Sequence, residues 1–223
     1  MTRRERQRKT IPHAAAVKTP MPSSLEPMLP SLVQKPFSNP GWLFEPKWDG
    51  WRTICFYSEG KAQLISRKQN SLTERFPELR EIGKLIRATT AILDGEIVAL
   101  HQHGLPCFDG LRRRHGPACS VVLYAFDLLY LDGYDLTHCP LVKRKALLKR
   151  ILPKENTGRL RFTDHIVGSG EKLFDRLEAL NLEGMVMKRK NSVYAFMRCH
   201  DWLKVKTKAG RLTMQLRAEA WEK

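Results

Sequence analysis

One short segment of the chain combines residue types suited to nucleophilic chemistry, the run Lys-Trp-Asp-Gly-Trp-Arg at residues 47–52. Lys47 supplies an amine, with a carboxylate at Asp49 and a second cation at Arg52 close by in sequence. An amine attacks only in its neutral form, which neighbouring cations favour. The alternative is a surface lysine that enters a hairpin, because Asp-Gly is a common turn signal.

Further charged residues interrupt or end the apolar segments. Asp94 and Glu96 lie within the apolar residues 91–100, and Asp127 lies within residues 121–130. A buried acid is costly unless it is paired or takes part in chemistry. Two late segments, 184–188 and 202–206, are predicted strands with lysines at their ends. The alternative for alternating lysines is the solvated face of a strand.

The charge of the chain predicts a polyanionic partner. The formal net charge is +16, and residues 1–20 carry six basic side chains and one acid. Nucleic acid is the simplest such partner, although a basic surface can also serve solubility alone. No run approaches the roughly 18 apolar residues of a membrane helix, and the N-terminus has no apolar signal region. We therefore predict a cytoplasmic protein with no membrane partner.

Cysteine and histidine usage predicts neither disulfides nor a metal site. The five cysteines are scattered and form no Cys-x-x-Cys pair, which favours reduced thiols. His101 and His103 are predicted at an exposed hairpin tip, with no third ligand nearby in sequence.

The periodicity predicts an α+β domain between two terminal segments. Residues 1–24 are predicted to be a flexible basic arm, 25–40 an extended proline-rich lead-in, and 208–223 a short helical tail. A hairpin is predicted over 51–57 and 62–66, and strands over 91–100 and 121–130. Helices are predicted over 76–86, 141–152 and 171–180, the last capped by Ser169.

Five motifs in order resemble the nucleotidyltransferase motifs of ATP-dependent DNA ligases, and in particular the ligase module of bacterial end-joining ligases. They are Lys47-Trp48-Asp49-Gly50, Leu93-Asp94-Gly95-Glu96, Phe126-Asp127-Leu128-Leu129, Glu183-Gly184-Met185-Val186-Met187-Lys188 and Trp202-Leu203-Lys204-Val205-Lys206. The resemblance covers residues 25–207. It implies an α+β, ATP-grasp-like nucleotidyltransferase (adenylation) domain, with antiparallel sheets flanked by helices.

The resemblance also implies a reaction and its catalytic residues. Lys47 would attack the α-phosphate of ATP to give lysyl-AMP, and the AMP would pass to a DNA 5′-phosphate before strand sealing. Lys204 and Lys206 would face the α-phosphate and stabilise its charge. Glu96 would bind the ribose and, with Glu183, help to hold Mg²⁺ or Mn²⁺.

The remaining residues implied by the resemblance would bind the nucleotide. Arg52 and Arg67 would contact ribose or phosphate, and Phe126 would stack on adenine, although a Phe in so apolar a run is otherwise a core residue. Lys188 would contact adenine or phosphate. Glu45 would accept a hydrogen bond from the adenine amino group.

The chain departs from the family pattern in three places. Residues 68–70, Lys-Gln-Asn, replace an Asn-Gly-like turn, and residues 195–200 lack the glycine of a Gly-Arg-Ser-like loop. After residue 207 the sequence is too short for an oligonucleotide-binding (OB) barrel of about a hundred residues. The resemblance therefore implies weak self-adenylation and weak binding of nicked DNA. A partner that supplies the barrel, or phosphate contacts from the basic arm, would compensate for the missing barrel.

Two alternatives to a DNA-sealing enzyme of DNA repair remain open. One is an RNA-end nucleotidyltransferase or RNA ligase, since the motifs separate DNA from RNA poorly. The other is a degenerate fragment that binds nucleotide or DNA without sealing. For the favoured interpretation, the expected partners are nicked or broken duplex DNA and an end-joining protein, and the expected location is the bacterial nucleoid.

Overall fold

A computed structural model describes residues 14–107, 110–111 and 119–219 of the chain. Within them, seven strands form one sheet in the order β1-β8-β7-β6-β4-β5, with β9 beside β7. All neighbours are antiparallel except β7 and β9. The strands are β1 (Val17–Lys18), β4 (Trp51–Ser58), β5 (Lys61–Ser66), β6 (Thr90–Leu100), β7 (Ser120–Leu131), β8 (Tyr134–Asp135) and β9 (Leu160–Phe162).

The second sheet has five strands in the order β10-β3-β11-β12-β2. Only β12 and β2 are parallel within it. Pro30 lies on the edge strand β2, as expected for a residue that cannot donate a ladder hydrogen bond. The strands are β2 (Leu29–Leu32), β3 (Trp42–Pro46), β10 (Ile166–Val167), β11 (Gly184–Arg189) and β12 (Arg198–Lys206).

Three α-helices whose bounds lie within the described residues flank the sheets: α1 (Leu141–Ile151), α2 (Gly170–Ala179) and α3 (Lys208–Glu219). The predicted helix over 76–86 is a 3₁₀ helix, Pro77–Leu85, which buries Leu79 and Ile82. Ser169 occupies the N-cap position of α2, but its side chain makes no capping hydrogen bond there, so that prediction was wrong.

The two sheets meet through a shared apolar cluster. Leu43 of β3 and Trp202 of β12 pack there with Ile54, Ile92 and Phe126 from the larger sheet. Each of the five is at most 7% exposed. The cluster lies beneath the cleft described below and holds its two walls together.

The hairpins and strands predicted from the sequence are confirmed, and so is the α+β class with antiparallel sheets flanked by helices. The lead-in at 25–40 is not wholly extended coil, because it contributes the edge strand β2. The flexible arm predicted over residues 1–24 extends too far along the chain. Val17 and Lys18 pair with β8, so these residues belong to the sheet, while residues 1–13 lie outside the described residues. The predicted tail contains α3.

Candidate active site

A cleft of about 190 Å³ opens between the two sheets. Eight of the ten predicted site residues line it: Glu45, Lys47, Arg52, Arg67, Glu96, Phe126, Lys188 and Lys204. Glu183 lines an adjoining cavity, which shares Lys47 with the cleft, and Lys206 approaches Glu183. The fold thus brings residues from across the chain to one place.

Lys47 follows β3, and its position is set by backbone and side-chain contacts. Its backbone N–H donates to the Gly184 carbonyl at 2.9 Å. Its ammonium Nζ donates to Glu183 Oε2 at 2.5 Å. Lys206 Nζ lies 3.4 Å from the other carboxylate oxygen of Glu183. Glu183 therefore sits between two lysines, with its side chain only 8% exposed.

The glycines of two motifs allow close backbone approach at this point. A Cβ on Gly50, in the turn after Lys47, would lie 2.1 Å from the Ile97 carbonyl oxygen. A Cβ on Gly184 would lie 2.2 Å from the Val205 carbonyl oxygen. Both distances exclude a side chain, so the local packing requires glycine at each position.

Lys204 adds a further cation beside the nucleophile candidate. It pairs with Val186 across β11 and β12 and lines the cleft. Burial lowers the pKa of Lys204, and the nearby charges of Lys47, Arg198 and Lys206 lower it further. The lysines of β12 thus face the site and not merely solvent.

Glu96 lies on β6 opposite Arg52 of β4. Burial raises the pKa of the Glu96 carboxyl to about 8; Lys47 and Arg52 oppose that shift, and the carboxylate of Glu183 adds to it. A cation or a ligand hydroxyl placed at Glu96 would relieve the cost of its burial.

The acids within the apolar strands are paired. Asp94 is fully buried and accepts two hydrogen bonds from the Arg52 guanidinium, each 2.6 Å long. Tyr194 donates a third at 2.6 Å. Asp127 is held likewise by Arg144, with two contacts of 2.8 Å. These acids position Arg52 and α1.

Phe126 belongs to both the core and the cleft. It is 7% exposed and packs in the cluster between the sheets. The Arg52 guanidinium carbon lies 4.6 Å from its ring centroid, and Lys188 Nζ lies 4.2 Å away. Trp202 contacts the ring edge-on at 6.2 Å.

The floor of the cleft contains an acid between two buried lysines. Glu45 Oε1 lies 2.6 Å from Lys145 Nζ, and Glu45 Oε2 lies 2.6 Å from Lys188 Nζ. Burial opposes the charge of Glu45, but the two lysines outweigh it and lower the Glu45 pKa. Burial lowers the pKa of Lys188 to about 8 against the attraction of Glu45.

Lys145 is a residue that the motifs did not indicate. It is 1% exposed, and its Nζ also donates to the Thr163 carbonyl at 3.0 Å. The signal was present in the helix pattern: Leu141, Arg144, Lys145 and Leu148 fall on one face of α1, and all four are buried. Two cations in an apolar stripe predict buried acid partners.

Near both segments that depart from the family pattern, residues 68–70 and 195–200, an arginine lines the cleft. Gln69 adopts φ 61°, the left-handed conformation that glycine favours, and its N–H donates to the Ser66 carbonyl at 2.9 Å. Arg67 reaches the cleft from this turn. Arg198, the first residue of β12 and part of the other segment, also lines the cleft and was not predicted.

One buried donor of the cleft is free to bind a ligand. Trp202 lines the cleft, and its Nε1 is buried without a hydrogen-bond partner among the described residues. An acceptor atom on a bound ligand would satisfy it. Fold and site together define an α+β domain with a cationic cleft between its two sheets.

Comparison with known proteins gives the family. Residues 27–206 match the model of the ATP dependent DNA ligase domain. The chain is 34% identical over 191 residues to the multifunctional non-homologous end joining protein LigD of Pseudomonas aeruginosa, covering 85% of this chain and 23% of that protein. It is 32% identical over 186 residues to the SPbeta prophage-derived DNA ligase-like protein LigB of Bacillus subtilis, covering 81% and 67%.

A solved structure agrees with these relatives. The mycobacterial DNA ligase D complexed with ATP and MES superposes with a TM-score of 0.72 at 32% identity, covering 82% of this chain and 60% of that one. The chain belongs to the family of ATP-dependent DNA ligase domains. The family and fold predicted from the five motifs are thereby confirmed. Among the described residues, no helix is both long and apolar enough to cross a membrane.

Proposed function

We propose that this chain is the catalytic domain of an ATP-dependent DNA ligase that forms a lysyl-AMP intermediate on Lys47. The observation that carries the proposal is the Lys47 amine, which lines the cationic cleft and lies 2.5 Å from Glu183 of the adjoining cavity. Lys204 and Lys206 lie on the neighbouring strand. This arrangement supplies a nucleophile, a proton acceptor and cations for a phosphate.

The first chemical step forms a bond between Lys47 Nζ and the α-phosphorus of ATP. The bond from that phosphorus to the bridging oxygen breaks, and pyrophosphate leaves with the electron pair. Lys47 must first lose a proton, and Glu183 is the adjacent acceptor. Lys204 and Lys206 stabilise the negative charge that develops on the phosphoryl oxygens. AMP then passes to a 5′-phosphate, and a 3′-hydroxyl displaces it.

Carboxylate oxygens at the mouth of the cleft suit a hard divalent cation. Glu183 and Glu96 are the acids that would hold Mg²⁺ or Mn²⁺. Bound there, the cation would neutralise phosphate charge. The raised pKa of Glu96 fits this role, because a cation restores its ionised form.

The floor and walls of the cleft would select adenine. Glu45 would accept from the amino group, and Phe126 and Lys188 would contact the base. Arg52 and Arg67 would bind ribose or phosphate, Arg52 held in place by Asp94. Lys145 positions Glu45 through their ion pair.

The substrate and partners follow from the relatives and from the charge. The Pseudomonas relative is named as a non-homologous end joining protein, and this chain carries +16. We infer nicked or broken duplex DNA as substrate, an end-joining protein as partner, and the cytoplasmic nucleoid of a bacterium as location.

The test of the first step is transfer of label from ATP labelled at the α-phosphate. The full chain is incubated with ATP and Mg²⁺ or Mn²⁺ and separated under denaturing conditions. We expect label on the wild type, none on Lys47→Ala, and wild-type label on Lys61→Ala, which removes an exposed lysine of the β4–β5 hairpin. No label on a folded wild type that binds ATP would instead indicate a domain that only binds nucleotide.

The test of substrate class is sealing of a nick from a pre-adenylated 5′-end. We expect product with a DNA duplex and much less with an all-RNA duplex of the same sequence. Equal or better sealing of RNA would replace the DNA assignment with an RNA-end enzyme.

A further inference from the structure

Three metal-ligating side chains meet outside the cleft, at the ends of β6 and β7. His101 follows β6, Cys119 precedes β7, and Cys107 lies beyond the turn after His101. Their ligand atoms lie within 4.8 Å of one another, and His101 Nδ1 is 3.9 Å from Cys119 Sγ. Within residues 14–107, 110–111 and 119–219, no other three His, Cys, Asp or Glu side chains group this closely.

The backbone holds these side chains in place. The His101 N–H donates to the Leu105 carbonyl at 2.9 Å, which closes the turn. The Cys107 N–H donates to the Ala99 carbonyl at 2.8 Å, which docks Cys107 against β6. Cys119 directly precedes the first residue of β7. The arrangement follows from the pairing of two central strands, which is why sequence spacing alone hid it.

We propose that His101, Cys107 and Cys119 form a site for one divalent cation of the Zn²⁺ type. Two sulfurs and one imidazole nitrogen are the ligands that Zn²⁺ prefers, whereas Mg²⁺ requires oxygen. Tetrahedral bond lengths place a zinc-bound nitrogen and sulfur about 3.6 Å apart, close to the 3.9 Å observed. The fourth position is left for water or another ligand.

The site connects to the active centre through one neighbouring residue. Pro106 precedes Cys107 and lines the cavity that also contains Lys47 and Glu183. A bound cation would link Cys107 to Cys119. It would thereby restrict the motion of Pro106 in the wall of that cavity. The inference depends on the geometry of the three ligands and not on the proposed ligase activity, so either can fail without the other.

The test is titration of the full chain, reduced and freed of metal by a chelator, with Co²⁺ as a spectroscopic probe. We expect one Co²⁺ per chain with a thiolate-to-cobalt charge-transfer band, which Zn²⁺ abolishes and excess Mg²⁺ leaves unchanged. Cys107→Ser and Cys119→Ser should each weaken Co²⁺ binding by about tenfold or more. His101→Asn should do the same.

Two matched controls address folding and non-specific binding. Cys199→Ser removes a partly buried cysteine elsewhere, and His103→Ala removes the exposed histidine of the same turn; both should bind Co²⁺ as the wild type does. Absence of a charge-transfer band in the wild type would overturn the proposal. So would a band that survives in both cysteine variants, or a Cys107–Cys119 disulfide recovered from a reduced chain that gives no band.

Discussion

Glu45 shows how strongly one residue of the cleft depends on charges contributed by a distant helix. Its carboxylate is 2% exposed and lies between Lys145 and Lys188. Neither lysine is solvated enough to act as a surface charge, so the three ions stabilise one another only as a set. Removal of Glu45 would leave two lysines buried without an acid, whereas removal of one lysine leaves Glu45 paired with the other in the floor of the cleft.

Lys145→Met should destabilise the protein by about 1–3 kcal/mol, because Glu45 Oε1 and the Thr163 carbonyl lose their buried donor. Lys143→Met, an exposed lysine of the same helix, is the control and should change stability little. Urea unfolding followed by circular dichroism measures both. Equal stabilities would show that Lys188 alone compensates Glu45.

Glu96 gives the domain a pH-dependent stability in the absence of metal and nucleotide. Burial raises its folded-state pKa to about 8, against about 4.3 in an unfolded chain. Between these values the folded state binds the extra proton, so the free energy of unfolding falls as pH rises. The groups that face it are Lys47, Arg52, Glu183 and Asp94.

Glu96→Gln should remove the part of the fall in the free energy of unfolding with rising pH that comes from Glu96. In buffer with chelator, the variant should gain stability over the wild type at pH 9 and gain little at pH 4, because the wild-type carboxyl is protonated there. Glu155→Gln, in an exposed segment, should follow the wild type at both pH values. If Glu96→Gln were more stable than the wild type by the same amount at both pH values, the raised pKa of Glu96 would be contradicted.

At the scale of elements, the β11–β12 pair carries both the Glu183 motif and the lysines that face it. Gly184 lies opposite Lys206, and its missing side chain lets β11 approach the Val205 carbonyl. The same glycine accepts the Lys47 backbone hydrogen bond. Strand spacing, not only turn geometry, therefore sets the distance between Lys47 and Glu183.

Gly184→Ala should cost about 1–3 kcal/mol through overpacking and should lower lysine adenylation as Lys47 shifts. Gly158→Ala is the matched control, because its Cβ would meet nothing within 4 Å. Thermal unfolding and label transfer measure the two effects. Full activity in a folded Gly184→Ala variant would show that this approach does not position Lys47.

Elements differ in how far local sequence predicts them. Alternation and turn residues were enough for the hairpin of β4 and β5, because register there follows from the turn. The 3₁₀ form of Pro77–Leu85 and the pairing of Val17–Lys18 with β8 depend on packing against other elements. Motif order located the cleft residues, but Lys145 and the Cys107–Cys119 proximity arise from strand and helix contacts.

At the scale of the whole molecule, the positive charge of the N-terminal residues should strengthen binding to the proposed DNA substrate. Residues 1–13 carry five basic side chains and one acid, while pairing of Val17–Lys18 with β8 begins shortly after them. Deletion of residues 1–13 therefore removes charge without removing a described strand. The logarithm of the DNA-binding constant falls linearly with the logarithm of the salt concentration. For every DNA phosphate that the deletion leaves without a basic partner, the slope of that line should become shallower by about one unit.

We expect the truncated chain to bind nicked duplex DNA more weakly at low salt, with the two chains converging as salt rises, because counterion release drives this term. A full-length variant with Arg3, Arg4, Arg6, Arg8 and Lys9 changed to Gln separates charge from length and should match the deletion. Fluorescence anisotropy across a salt series measures affinity and slope together. Unchanged affinity and slope would place DNA binding on the folded body, where Arg67, Arg198 and Lys204 surround the cleft.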